Sequence, residues 1–146
     1  MTLVNQVSQT DPPHIARLMG SAFEQIRQAF AADDWNGLRQ SHFRVIDAVP
    51  DGGISITELG VRVRMTKQGC GQFVAQLCGS GHLRTLPDPL DGRARIVRRT
   101  AKGTRLIRRV RSRIADLESS WAERVGVGNY ATFRQVLLAV AEVPPS

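Results

Sequence analysis

Apolar side chains at Ile15, Leu18, Met19, Ala22, Phe23, Ile26 and Phe30 recur in steps of three and four residues. That is the period of an α-helix with one buried stripe. Asp11-Pro12-Pro13 ahead of them suits the first turn of that helix, where proline is tolerated and an acid meets the positive end of the dipole. Trp35-Asn36-Gly37 breaks the pattern, and Phe43, Val45, Ile46 and Val49 mark the apolar side of a second helix over residues 38–49. Pro50-Asp51-Gly52-Gly53 closes it as a turn. Ile54 suits a short strand. Ser55-x-x-Glu58 then has the form of a capping box, which starts a short helix carrying Ile56, Leu59 and Val63. The chain turns at Arg64-Met65-Thr66, and Thr66 caps a further helix with Phe73, Val74 and Leu77 inward and Gly79-Ser80-Gly81 as its stop.

Residues 82–86 and 95–99 are strand-like arms around Pro87-Asp88-Pro89-Leu90-Asp91-Gly92, which has a hairpin loop's composition. Thr100 caps a long helix in which Ile107, Val110, Ile114, Leu117 and Trp121 step 3-4-3-4, the spacing of a coiled-coil-like seam. Residues 126–129 interrupt, and a last helix over 130–143 carries Phe133, Val136, Leu137 and Val140. Two helices joined by a tight turn and followed by a hairpin make a winged helix-turn-helix. The predicted fold is mainly α with a small β-hairpin wing. The chain reads as one domain over 1–146, its winged part spanning about 38–100. The flanking helices, about 12–33 and 101–143, carry more apolar surface than so small a winged domain needs, so they are predicted to pack against each other and a second copy of the chain.

Charge locates the chemistry. The 146 residues carry 20 Lys+Arg against 13 Asp+Glu, a net +7, and 42% apolar side chains, enough for one core. Fourteen of the basic residues and only two acids fall between 61 and 113, so that segment holds +12 and the remainder −5. Such concentration suits a polyanionic partner. A solvated basic face with no partner is the plainer alternative. The longest uninterrupted apolar run, 136–141, is far short of the about 20 residues of a membrane span. The N-terminus lacks the basic-then-apolar order of a secretory signal. The expectation is a soluble, cytoplasmic protein with no membrane association.

Several residues resemble the MarR family of bacterial transcriptional regulators. They are Leu38-x-x-x-His42-Phe43-Arg44-Val45-Ile46, Ile56-Thr57-Glu58-Leu59-Gly60, Met65-Thr66-Lys67-Gln68, Gly81-His82-Leu83 and, most specifically, Pro87-Asp88-Pro89-Leu90-Asp91-Gly92-Arg93-Ala94-Arg95 followed by Thr100-Ala101-Lys102-Gly103. The resemblance is detailed over about 38–106 and a matter of pattern beyond. It implies a homodimer with interlocked terminal helices, bound to double-stranded DNA at a near-palindromic operator. A recognition helix would enter each major groove and a wing tip each adjacent minor groove. Often a small aromatic or phenolic effector alters the affinity, and the regulator is more often a repressor.

On that reading Thr66, Lys67, Gln68 and Gln72 are the recognition-helix candidates. Gln reads adenine, and Lys reaches guanine or phosphate. Arg93 at the wing tip suits a narrow, strongly negative minor groove, with Asp91 pairing to it and Arg95 beside it. Arg62, Arg64, Arg84 and Arg98 are candidates for phosphate contacts, which position a protein without specifying sequence. Arg64 stands where the family often has Gly, so a left-handed turn there would be strained. Gly69 and Gly71 replace the larger residues usual in the recognition helix; either DNA approaches the backbone closely or the helix is loose until it binds. An effector pocket is expected where the first, second and fifth helices meet the winged domain, with Phe23, Arg27, Gln40 and His42 as candidates.

Other chemistry is weakly supported. Cys70 and Cys78 on one helix would lie roughly 12 Å apart, too far for a disulfide with each other. Cys78 and His82 stand four apart without third and fourth ligands, so no metal is expected. No phosphate-binding loop, nucleophile elbow or zinc-protease run occurs, and the sequence suggests neither a cofactor nor an enzyme. The alternatives are a winged-helix protein-interaction module and, less favoured, a redox or metal sensor.

Overall fold

The computed structural model describes residues 12–142, so the Asp11 and Val143 ends of the predicted terminal helices lie outside the described residues. Two compact units divide between Asp33 and Asp34. The first holds α1, Ile15–Ala31. It starts later than the proline pair suggests, because His14 is the cap and its Nδ1 accepts the Arg17 N–H at 3.2 Å. Ile15, Leu18, Met19 and Phe23, four of the seven residues of the predicted stripe, are exposed.

The second unit runs α2 (Gln40–Ala48), β1 (Ile54–Ser55), α3 (Ile56–Val63), α4 (Lys67–Gly79), β2 (Leu83–Pro87), β3 (Arg95–Arg99), α5 (Ala101–Val125) and α6 (Val127–Ala141). The strands form one antiparallel sheet in the order β1-β3-β2, with Ile54 opposite Val97 and Leu83 opposite Arg99. Its core gathers Val45, Ile46 and Val49 from α2, Leu59 and Val63 from α3, Cys70, Val74 and Leu77 from α4, Leu83 and Val97 from the sheet, and Ile107 and Val110 from α5. These are the inward positions of each periodic segment. Burying them is the main force that fixes the helix-turn-helix against the hairpin.

Trp35 is a difference from the sequence reading. It sits in the break before α2 yet is buried, meets the Phe43 ring edge-on at 5.0 Å between centroids, and carries the Arg109 guanidinium 4.4 Å over its face. The turn around it is made by Asn36 and Gly37, both with positive φ, and by Asp34 Oδ1, which accepts the Asn36 N–H. Because the Leu38 N–H bonds to the Trp35 carbonyl, α2 starts at Gln40 rather than at 38.

The C-terminal break is also shorter than predicted. Gly126 alone, at φ 95° and ψ 141°, ends α5 and leads into α6. Asn129, expected in a loop, is helical, and its side-chain amide donates to the Val125 carbonyl at 2.8 Å. Tyr130 donates to Glu118 Oε1 at 2.6 Å, and Arg134 Nε pairs with the same oxygen at 2.8 Å, which latches α6 to α5. No residue of α6 is buried; Phe133, Val136, Leu137, Leu138 and Val140 are all exposed.

Candidate nucleic-acid interface

The turn between α3 and α4 fixes the start of α4, the expected recognition helix. Arg64 takes the left-handed conformation that its position threatened, φ 54° and ψ 45°, and caps α3 with its N–H on the Gly60 and Val61 carbonyls. A non-glycine residue there costs about 1–3 kcal/mol. Offsetting bonds surround it: Arg44 Nη2 donates to the Val63 carbonyl at 2.5 Å, and the Met65 N–H donates to the Gly60 carbonyl at 2.9 Å. A β-carbon on Gly60 would lie 3.3 Å from the Met65 carbonyl oxygen and 3.6 Å from Cys70 Cβ, so glycine lets α3 and α4 approach closely.

Thr66 then opens α4, its Oγ1 accepting the Gly69 N–H at 3.0 Å. With Cys70, Val74 and Leu77 held in the core, the exposed face carries Lys67, Gln68 and Gln72, with Gly71 between them. Spacings of one, four and five residues place these positions on one side of a helix.

The wing loop is shaped by its aspartates. Asp88 Oδ1 accepts the Leu90 N–H at 2.9 Å and Asp91 Oδ1 accepts the Arg93 N–H at 3.1 Å, while the Ala94 N–H bonds to the Asp91 carbonyl. The bond between Asp91 and Arg93 thus falls on the backbone of Arg93, not on its fork. Asp91 sets the loop's shape, and the Arg93 side chain is exposed at the tip.

These pieces meet in a groove of about 750 Å³ lined by Ser55, Ile56 and Thr57 from the start of α3, Lys67, Gln68 and Gly71 from α4, and Asp91, Arg93, Ala94 and Arg95 from the wing. Three of those side chains are cationic and one is acidic. Ser55 and Thr57 were not among the candidates from sequence: Ser55 reads there only as a cap, which it is, accepting the Glu58 N–H at 3.2 Å.

The outlying arginines differ in what they do. Arg62 and Arg84 are exposed. Arg84 stands directly opposite Arg98 in the ladder, a like-charge pairing that is unfavourable. Arg98 is half-buried and turned to the preceding turn, with Nη2 on the Gly52 carbonyl at 3.3 Å. Its neighbour Arg99 donates to Asp51 Oδ1 at 2.6 Å and to the Ile46 carbonyl at 3.4 Å, joining β3 to the end of α2.

The effector candidates lie on α1 and α2. Phe23 is exposed, and Arg27 pairs with Glu24 on its own helix at 3.1 Å. Gln40 is the first residue of α2. His42 is buried: its Nδ1 accepts the Arg39 N–H at 3.0 Å, which leaves Nε2–H to donate to Gln76 Oε1 at 3.2 Å, and its ring stands edge-on to Phe73. Nδ1 thus caps the start of α2, and Nε2 ties α2 to α4.

Cys70 is fully buried and Cys78 partly so, and burial pushes both thiols above the ordinary range. That disfavours the reactive thiolate. Among the described residues no group of three or more metal-ligating side chains gathers, and no helix is long and apolar enough to cross a membrane.

No protein-family model matches the sequence, and no curated protein does. Solved structures do match. The PcaV transcriptional regulator from Streptomyces coelicolor, crystallised with its natural ligand, is 25% identical, with 98% of this chain and 99% of that chain covered at a TM-score of 0.69. A cysteine variant of MarR from E. coli is 17% identical, covering 90% of this chain and 98% of that one at 0.70. The chain has the MarR fold. BpsR of Bordetella bronchiseptica, whose DNA binding is regulated by 6-hydroxynicotinic acid, shares the MarR fold at 17% identity, 88% and 98% coverage and a TM-score of 0.71.

Proposed function

We propose that the chain is a sequence-specific, double-stranded DNA-binding transcriptional regulator of the MarR type, a repressor whose affinity is modulated by a small aromatic or phenolic ligand. The observation that carries this reading is the groove that brings Lys67 and Gln68 of the recognition helix together with Arg93 and Arg95 of the wing. Cations on both sides of a cleft and hydrogen-bonding side chains on an exposed helix face suit a duplex, with α4 in the major groove and Arg93 in the minor groove beside it. Arg62, Arg64 and Arg84 supply phosphate contacts at its margins. Ligand control is proposed from PcaV and BpsR.

The protein works as a homodimer on a near-palindromic operator. Residues 38–100 form the reading head, and the helices at 12–33 and 101–143 form the dimer interface through their exposed apolar faces. It acts in the cytoplasm, at the nucleoid, and is not an enzyme.

The test selects duplexes from a random-sequence pool with the wild-type protein and titrates the enriched duplex by fluorescence anisotropy. Arg93→Ala is expected to weaken binding and to flatten the dependence of log affinity on log salt by about one unit per copy. Equal affinity and slope in that variant would take the wing out of the interface.

A further inference from the structure

Glycine inside a helix weakens it, so each one asks for a reason. In α5, Gly103 has one: a β-carbon there would overlap the His82 carbonyl oxygen. Gly69 has one as well, since its β-carbon would come 3.0 Å from the Thr66 Oγ1 that caps the same helix. Gly71 has none within the protein. It is not among the glycines with positive φ, and a β-carbon added to it would meet nothing within 4 Å. Its bare backbone opens instead into the groove, one turn beyond Lys67 and three residues from Gln68, with Arg93 and Arg95 among the other lining residues. Gly20 of α1 and Gly128 of α6 are as free of contacts, but neither lines the groove; it is the place of Gly71 in the groove that ties its bareness to what enters there.

We infer that Gly71 is a specificity-determining position: the missing side chain lets a base-pair edge of the duplex come against the α4 backbone, at the depth where Lys67, Gln68 and Gln72 reach their bases. This rests on the DNA-binding reading above. A side chain at 71 stands the helix off the duplex and costs the neighbouring side chains their contacts, whereas phosphate contacts made by long, flexible arginines persist. The loss therefore falls on sequence preference and not on general affinity for DNA.

Gly79 supplies the control. It ends the same helix, its β-carbon would also meet nothing within 4 Å, and it does not line the groove. Gly71→Ala and Gly79→Ala both rigidify α4, but only the first obstructs the groove. With a duplex enriched by the wild-type protein and a scrambled duplex of the same length as probes, Gly71→Ala is expected to raise the thermal midpoint yet bind the enriched duplex roughly tenfold more weakly, the size of one lost base contact. Its binding to the scrambled duplex is expected to be unchanged, and Gly79→Ala is expected to bind both as the wild type does. Wild-type affinity in Gly71→Ala would overturn the inference while leaving the DNA-binding reading intact. Equal losses in both variants would overturn it too, in favour of a helix that must be loose to bind. If the wild-type protein enriches no duplex, the reading itself fails and the inference with it.

Discussion

Gly103 and His82 share one joint. Thr100 Oγ1 donates to the Gly81 carbonyl and accepts the Gly103 N–H, its N–H bonds to the His82 carbonyl, and Lys102 Nζ donates to the Ser80 carbonyl at 2.8 Å. With the His82 carbonyl lying where a side chain at 103 would start, Gly103→Ala must shift backbone, and it is expected to destabilise the fold by about 1–3 kcal/mol or more in urea unfolding. The His82 ring is buried and donates Nδ1–H to Ser80 Oγ, because that hydroxyl gives its own proton to the Leu77 carbonyl. Burial first, then the charge of Lys102 and then His42, push its pKa below the ordinary 6.5. Below that value the unfolded chain takes up a proton that the folded chain resists. The contribution of His82 is therefore complete above it and falls away as pH drops toward the lower folded value. The urea midpoint is expected to decline from about pH 7 to about pH 5, and less steeply in His82→Asn, whose amide can still donate to Ser80; identical slopes would remove His82 as the cause. The Thr-x-x-Gly pattern was legible in the sequence, but its reason, the His82 carbonyl from the turn ahead of β2, is a long-range contact that no local pattern displays. Trp35 was illegible for a similar cause: it is flanked by Asp34 and Asn36, polar turn formers, and its ring meets Phe43 and Arg109, which lie beyond that turn.

At the scale of elements, the strongly periodic segments were read correctly in kind, and their ends were less legible. The hairpin arm over 95–99 and the cap at Thr66 stand where the periodicity and capping chemistry put them, because those signals are local. The boundaries of α1, α2 and α6 moved because groups not counted as caps made them: the His14 side chain, the backbone carbonyl of Trp35 that holds Leu38, and the Asn129 side chain. Helix α6 poses a problem of its own. It buries no residue, and it is held to α5 by the Tyr130–Glu118–Arg134 latch, the Asn129 bond to the Val125 carbonyl and the ring contact of Tyr130 with Trp121. Solvent-exposed apolar side chains at 133, 136, 137 and 140 recur with the helical period and suit burial against a second copy. Val136→Glu is expected to shift the proposed dimer toward monomer in light scattering at low concentration, since burying an unpaired carboxylate opposes association. An unchanged dimer would place the interface elsewhere.

The distribution of charge is a property of the whole molecule, and it was fully legible: +12 between residues 61 and 113 and −5 elsewhere. What the sequence did not display is how that charge is divided. Arg99 and Arg111 are spent on Asp51 and Asp47, tying β3 and α5 to the region of α2. Arg98 faces Gly52, whereas Lys67, Arg93 and Arg95 line the groove. Only packing separates structural arginines from those left to a partner. On the proposed reading this groove, in two copies, holds duplex DNA through its cations. With Arg62, Arg64 and Arg84 at its margins, six cations per copy make twelve contacts in a dimer, so log affinity should fall with log salt with a slope of about −11. The direct measurement is wild-type binding to its enriched duplex by anisotropy across a salt series. A steep linear fall near that slope is predicted; no binding to any duplex, even in dilute salt, would contradict the account.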